Sequence, residues 1–191
     1  MKPRKRHTVG ILALGPVPEI VLKIVAAHVS GYLDLPACFL PQMALPRECL
    51  DERRGQYDAA KLINHLKSQS FAGCTKVLAL LDDDLFVPIF THIFGEAQQG
   101  GTHAVVSLSR LKDLEDGAKS TDADFYERTA KVALHELGHL LDLFHCQDPA
   151  CFMHFSGAIE TLDAISMGFC PYCKSYLQQA CLLVEPLPVD R

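Results

Sequence analysis

The 191-residue chain is long enough for one domain with a sizeable core, and 49% hydrophobic with 21% charged residues is ordinary globular composition. A net charge of −5 excludes a general attraction to nucleic acid. No apolar stretch is long and clean enough to span a membrane.

Lys2, Arg4, Lys5 and Arg6 ahead of an apolar run have the outline of a secretory signal. The run is short, ends in Gly15-Pro16 and lacks a small-residue cleavage pattern. "TVGILALG" (8–15) is therefore predicted to be a buried strand entering a tight turn, and the basic residues a solvated terminus. "PEIVLKIVAAHVS" (18–30) has helical spacing, with Pro18 near its start. "GYLDLPACFL" (31–40) reads as a second strand interrupted at Pro36, and 41–55 as a loop. "QYDAAKLINHLKSQ" (56–69) predicts a helix, and "CTKVLALL" (74–81) a third buried strand ending in Asp82, Asp83 and Asp84. Those aspartates are expected to cap and solvate, not to hold a cation. "IFGEAQQGGTHAVVSLSRL" (93–111) reads as a hairpin about Gly100-Gly101 at a sheet edge. "TDADFYERTAKVALHELGHLLDL" (121–143) predicts one long helix opened by a capping box of Thr121 and Asp124. The tail, 144–191, reads as irregular, with a last helix over 171–183. Strands alternating with helices imply an α/β fold in layers.

His135 and His139 are four apart, which puts both rings on one face of that helix, one turn apart. Two imidazoles so placed can reach a zinc ion at about 2.0–2.1 Å. Glu136 lies beside them and can take a proton from an activated water without being a ligand. His145 is the third candidate ligand. It lies six residues beyond His139, so the chain must turn sharply to bring it back. The alternative is a buried helix carrying satisfied core histidines. With nine histidines in the chain, chance H-E-x-x-H matches number only roughly 0.02, which favours the metal.

Five of the eight cysteines follow residue 145. Cys146 and Cys151, then Cys170 and Cys173, are two closely spaced pairs separated by a loop, the signature of a closed, structural zinc site. Disulfides or free thiols are the alternative. Without an export signal, a reducing compartment is expected. Such a zinc can supply folding free energy on the order of 10 kcal/mol to a tail with little apolar mass. His145 would serve one metal and Cys146 the other, so the two sites would brace each other. Cys38, Cys49, Cys74 and Cys181 are expected to be small core residues.

The H-E-x-x-H stretch, His145-Cys146, "DPACFM" and "CPYC", together with "RRGQYDA" (53–59), "FGEAQ" (94–98) and "VSLSRL" (106–111), make the chain similar to the archaemetzincins, a branch of the metzincin zinc proteases. The resemblance covers most of the chain. It implies a metzincin-type zincin fold: a twisted mixed sheet with an antiparallel edge strand, a long zinc-binding helix and a small Cys-rich C-terminal subdomain. One domain is implied, with an upper part at 1–143 and a lower part at 144–191 below the substrate cleft. It further implies that His135, His139 and His145 bind a catalytic zinc, that Glu136 is the general base, and that Met153 is the methionine of the turn beneath the metal. Cys146, Cys151, Cys170 and Cys173 would bind a second zinc. The edge strand at Phe94, Gly95, Glu96 and Ala97 would bind a peptide by strand addition. Two departures stand out. Asp142 replaces the family's glycine, so a left-handed conformation is expected at Asp142 as the chain leaves the helix. The Met153-to-Cys170 segment is one residue short, which a loop absorbs.

The expectation is a soluble, cytoplasmic, monomeric metallopeptidase with two zinc ions, acting on a peptide or protein, with no nucleic-acid or membrane partner. The alternative is a catalytically idle, zinc-stabilised peptide- or protein-binding module; the presence of Glu136 favours the enzyme. A nucleic-acid-binding zinc ribbon is disfavoured by the acidic balance and the lack of a basic, aromatic-rich tail.

Overall fold

The computed structural model describes residues 6–112 and 120–181. Lys2, Arg4 and Lys5 of the basic start, and the last residues of the predicted final helix and tail, lie outside these. In chain order the elements are β1 (Val9–Leu14), α1 (Glu19–His28), β2 (Ala37–Phe39), β3 (Leu50–Asp51), β4 (Gln56–Asp58), α2 (Ala59–Lys67), β5 (Lys76–Leu81), β6 (Leu85–Phe86), β7 (Gly95–Ala97), β8 (His103–Ser107), α3 (Asp122–Leu140), α4 (Ile159–Ala164) and α5 (Pro171–Ala180).

The main sheet is twisted and mixed, in the order β2-β1-β5-β8-β7. Its first four strands are parallel, and β7 runs antiparallel to β8 at one edge. A parallel sheet is covered on both faces, which is why β1, β5 and β8 are apolar almost throughout. Alternation sorts their side chains between two cores. Ile11, Leu78 and Ala104 are in register and pack beneath α1 and α3. Leu12, Ala79 and Val105 face the other way, toward α2. A smaller sheet, β3-β4-β6, flanks the main one.

Several boundaries differ from the sequence reading. Residues Val29–Leu33 form a wide helical turn, not the first half of a strand. Val29 and Leu33 are both buried in the core there, and Asp34 at φ 52° ends the turn. Pro36 then restricts Leu35 to extended backbone, so the strand starts only at Ala37. The expected helix over 56–69 begins at Ala59, because Asp58 is its N-cap and accepts from Lys61 N at 3.1 Å. Gln56 to Asp58 are a strand, paired with β3 within what reads as a loop. The tail contains α4, which the sequence reading missed. Asp84 makes a two-pronged ion pair with Arg110, at 2.8 and 2.6 Å, and Asp82 pairs with Lys112. These aspartates therefore tie the β5–β6 turn to the segment after β8.

Of the cysteines expected in the core, Cys49 and Cys181 are buried. Cys38 and Cys74 are only half-buried and lie against each other. No described helix is long and apolar enough to cross a membrane.

Candidate metal centres and active site

Helix α3 carries His135, Glu136 and His139, and both of its ends are closed. At the start, Asp124 N donates to Thr121 Oγ1 at 3.2 Å and Thr121 N donates to the Asp124 carboxylate at 3.0 Å, the expected capping box. At the far end, Asp142 N donates to His139 O at 3.0 Å and Leu143 N to Gly138 O at 2.9 Å, a Schellman arrangement. Asp142 has φ 69°, the left-handed conformation expected of it. Lys76 reaches from β5 and donates to Leu140 O and Gly101 O, both at 2.7 Å. A buried ammonium on these carbonyls also suits the negative end of the helix dipole.

This turn delivers His145 to the other two imidazoles. Asp142→Val should therefore cost at least about 1–2 kcal/mol, since a β-branched residue fits the left-handed region poorly. It should also weaken zinc at the histidines. Asp142→Gly should be close to neutral, since relief of backbone strain is offset by unfolded-state entropy and by loss of the Gln99 bond to Asp142 Oδ1. Thermal melts and zinc occupancy of the two variants test this; a Val variant with unchanged melting and full zinc would contradict it.

The three rings converge through their Nε2 atoms. His139 Nε2 lies 3.0 Å from His135 Nε2 and 3.3 Å from His145 Nε2. Nδ1 of His135 donates to Phe152 O at 2.7 Å, and Nδ1 of His139 donates to Leu143 O at 2.8 Å. Those bonds fix the tautomers, so the Nε2 lone pairs of both rings point at one another. Burial, then neighbouring His139, pushes His135 down to about 3, and burial also lowers His139 and His145. Neutral rings with facing lone pairs repel unless a cation sits between them. A tetrahedral ion with bonds of about 2.0–2.1 Å would hold its nitrogens about 3.3 Å apart. The donor set fits zinc.

Glu136 is buried beside this cluster but is not among the groups close enough to share one ion. Burial first, and then nearby Glu96, raises its carboxyl well above the usual range. The β7 backbone approaches it closely at Gly95, where a Cβ would lie 2.7 Å from Glu136 Oε1. Gly95, Glu96 and Ala97 form β7, and the outer edge of β7 pairs with no described strand. Phe94, just before it, is buried, and its carbonyl accepts from Ser107 N at 2.8 Å.

Met153 is fully buried and packed on α3 at Gly138. A Cβ at Gly138 would lie 2.3 Å from Met153 Sδ, so only glycine admits the methionine. A glycine inside a helix costs roughly 0.5–1 kcal/mol relative to alanine, and that cost was a signal in the sequence that a packing role was present.

Cys146, Cys151, Cys170 and Cys173 bring their sulfurs together, all within 4.8 Å of one another. Cys146 Sγ and Cys170 Sγ are 3.8 Å apart, close to the spacing a tetrahedral ion with bonds of about 2.3 Å imposes. Backbone N–H groups of Cys170, Met153 and Cys173 point at these sulfurs, as suits ionised thiols. Burial, then the crowding of like groups, pushes Cys173 up. Four such thiols ionise together only around a cation. The two centres are joined at His145-Cys146, and Cys146 N donates to Met153 O at 2.7 Å.

A cavity of about 520 Å³ opens over the histidines, between β7 and the segment after Met153. Leu162 and Ile165, on and just after α4, form part of its wall. That wall is held by two buried cations on α3 that the sequence reading did not single out. Arg128 makes two 2.7 Å bonds to Asp163, and Lys131 Nζ donates to Leu162 O at 3.1 Å. Phe155 stands against His145 with ring centroids 5.3 Å apart, and Phe90 lies 6.3 Å from Phe155. Nothing local in the sequence marks that aromatic pair, because its members come from distant segments.

The family model for peptidase family M54 matches residues 19–179. The archaemetzincin of Methanopyrus kandleri is 37% identical over 153 residues, covering 80% of this chain and 83% of that protein. The archaemetzincin of Halobacterium salinarum is 31% identical over 169 residues, covering 87% and 96%. The crystal structure of the Methanopyrus kandleri archaemetzincin superposes with a TM-score of 0.81 at 31% identity, over 94% of this chain and 98% of that one. The crystal structure of the Archaeoglobus fulgidus archaemetzincin complexed with malonate superposes with a TM-score of 0.75 at 27% identity, over 88% and 99%.

Proposed function

The chain belongs to peptidase family M54, the archaemetzincins, and is a zinc metallopeptidase; on that premise we propose that His135, His139 and His145 hold the catalytic zinc and that Glu136 is the general base. The observation that carries this reading is the convergence of three Nε2 atoms at the floor of the cavity that Glu136 also lines. When bound, zinc supplies Lewis acidity, which polarises a peptide carbonyl and makes a water easier to deprotonate. Glu136 takes the proton from the attacking water and returns it to the leaving amine. The free edge of β7 aligns the peptide backbone by strand addition. Leu162 and Ile165 offer apolar contact to a side chain of the substrate, which is a peptide or protein.

Cys146, Cys151, Cys170 and Cys173 hold a second, structural zinc in this reading, so the enzyme carries two. Residues 1–143 are an upper part and 144–191 a lower part of one domain, divided by the cleft. Met153 is the turn beneath the catalytic metal. The enzyme acts as a cytoplasmic monomer, where reducing conditions keep the four thiols available to zinc.

Elemental analysis of chain purified without added metal should approach two zinc ions per chain. A chelator should remove one first, and hydrolysis with it, because a site with three neutral ligands binds less tightly than four thiolates. A constant value of one, with Cys151 and Cys173 found in a disulfide, would overturn the second site. Two zinc ions without hydrolysis of any member of a diverse peptide library would favour an idle binding module.

A further inference from the structure

We infer that Cys38 and Cys74 are a reversible disulfide site that staples the sheet edge at β2 to the segment entering β5, across β1. Their sulfurs lie 3.1 Å apart and belong to neither candidate metal group. A disulfide needs about 2.05 Å, so closing the bond takes an approach of about 1 Å between the sulfurs.

The pair spans a strand that neither cysteine belongs to. Cys38 is in β2, in register with Gly10 of β1. Cys74 precedes β5, which flanks β1 on the other side. Cys74 Sγ lies over Gly10, where a Cβ would be 2.9 Å from it and 2.6 Å from Leu40 Cδ1. Gly10 is otherwise an odd choice in a buried parallel strand, since glycine weakens strands unless something must come close. Here Cys74 Sγ and Leu40 fill the space a side chain would take, and Cys38 Sγ lies 3.1 Å beyond Cys74 Sγ. Both cysteines are half-buried, so a small oxidant can reach them, whereas Cys49 is 1% exposed. Burial, then the Cys38 thiol, pushes Cys74 up to about 11, which keeps it a thiol until a partner sulfur is presented to it.

Glutathione disulfide is the oxidant. One protein thiolate attacks a sulfur of it and releases one glutathione thiolate. The second protein thiol loses its proton, attacks the mixed disulfide and releases the second glutathione. In total, two protein thiols and one glutathione disulfide become one protein disulfide and two glutathiones. The bridge joins residues 36 apart in sequence, and closing a loop of that size should raise the melting temperature on the order of 5–10 °C. The staple sits at the opposite edge of the sheet from β7, so it adds stability without touching the cleft.

The test equilibrates the zinc-loaded chain in buffers of rising ratio of glutathione disulfide to glutathione, traps free thiols by alkylation, and maps the peptides. A Cys38–Cys74 linked peptide should appear, the melting temperature should rise, zinc content should hold, and excess glutathione should reverse it. Cys38→Ser and Cys74→Ser should each abolish the linked peptide and the shift. Separate glutathione adducts on Cys38 and Cys74, linkage of either to another cysteine, or a shift that survives in both serine variants would overturn the inference.

Discussion

Glu136→Ala is expected to lower hydrolysis of a peptide library by about 10²–10⁴-fold, the contribution typical of a positioned general base. Both zinc ions should remain, because Glu136 stands outside the histidine group that can share one ion. The fold should be unharmed, and the melting temperature unchanged or higher. A carboxyl group buried beside β7, with Glu96 nearby, is held there at a cost in stability. His139→Ala is the contrasting variant. It removes a ligand, so zinc occupancy and activity should fall together. Glu136→Gln keeps the size of the side chain beside Gly95 and should be as inactive as the alanine variant. If Glu136→Ala lost zinc as readily as His139→Ala, the role of base would be wrongly assigned.

Cys170→Ser should have the largest effect on stability. A structural zinc site contributes on the order of 10 kcal/mol, which is comparable to the whole stability of an ordinary domain, about 5–15 kcal/mol. Cys170 is also the N-cap of α5, where its sulfur faces Cys173 N at 3.5 Å. Loss of the thiolate should release one zinc and loosen α5 and the turn around Met153. The damage should spread to the other metal. Cys146 adjoins His145 in the chain, and its N–H holds Met153 O, so zinc affinity at the histidines should fall as well. Cys181→Ser, at a buried cysteine outside the group, is the comparison and should keep both metals. Zinc analysis and thermal melts read both variants. Two retained zinc ions and an unshifted melt in Cys170→Ser would remove the case for a structural site.

Much of the site was legible because its logic is local. The i, i+4 spacing of His135 and His139 fixes a shared helix face whatever surrounds it. The capping box at Thr121 and the left-handed turn at Asp142 involve residues only a few positions apart, and both stand as read. The spacing of the two cysteine pairs likewise marks a metal cluster, and the four sulfurs do meet.

By itself, then, the amino-acid sequence determined the α/β order of elements, the helix bearing the histidines, the antiparallel edge at β7 and the family to which the chain belongs. Tertiary structure decided what depends on neighbours remote in the chain. Residues 31–33 read as the start of a strand, yet they belong to a helical turn that buries Val29 and Leu33 together. Lys76 caps α3 although 64 residues separate it from Leu140. Gly138 makes sense only once Met153 is packed against it, and Gly10 only once Leu40 and Cys74 close over it. Arg128 and Lys131 look like solvent-facing charges until α4 arrives to take their hydrogen bonds. The physical reason is the same in each case. Backbone propensity and capping act over a few residues, whereas burial and the pairing of buried polar groups are properties of the packed chain.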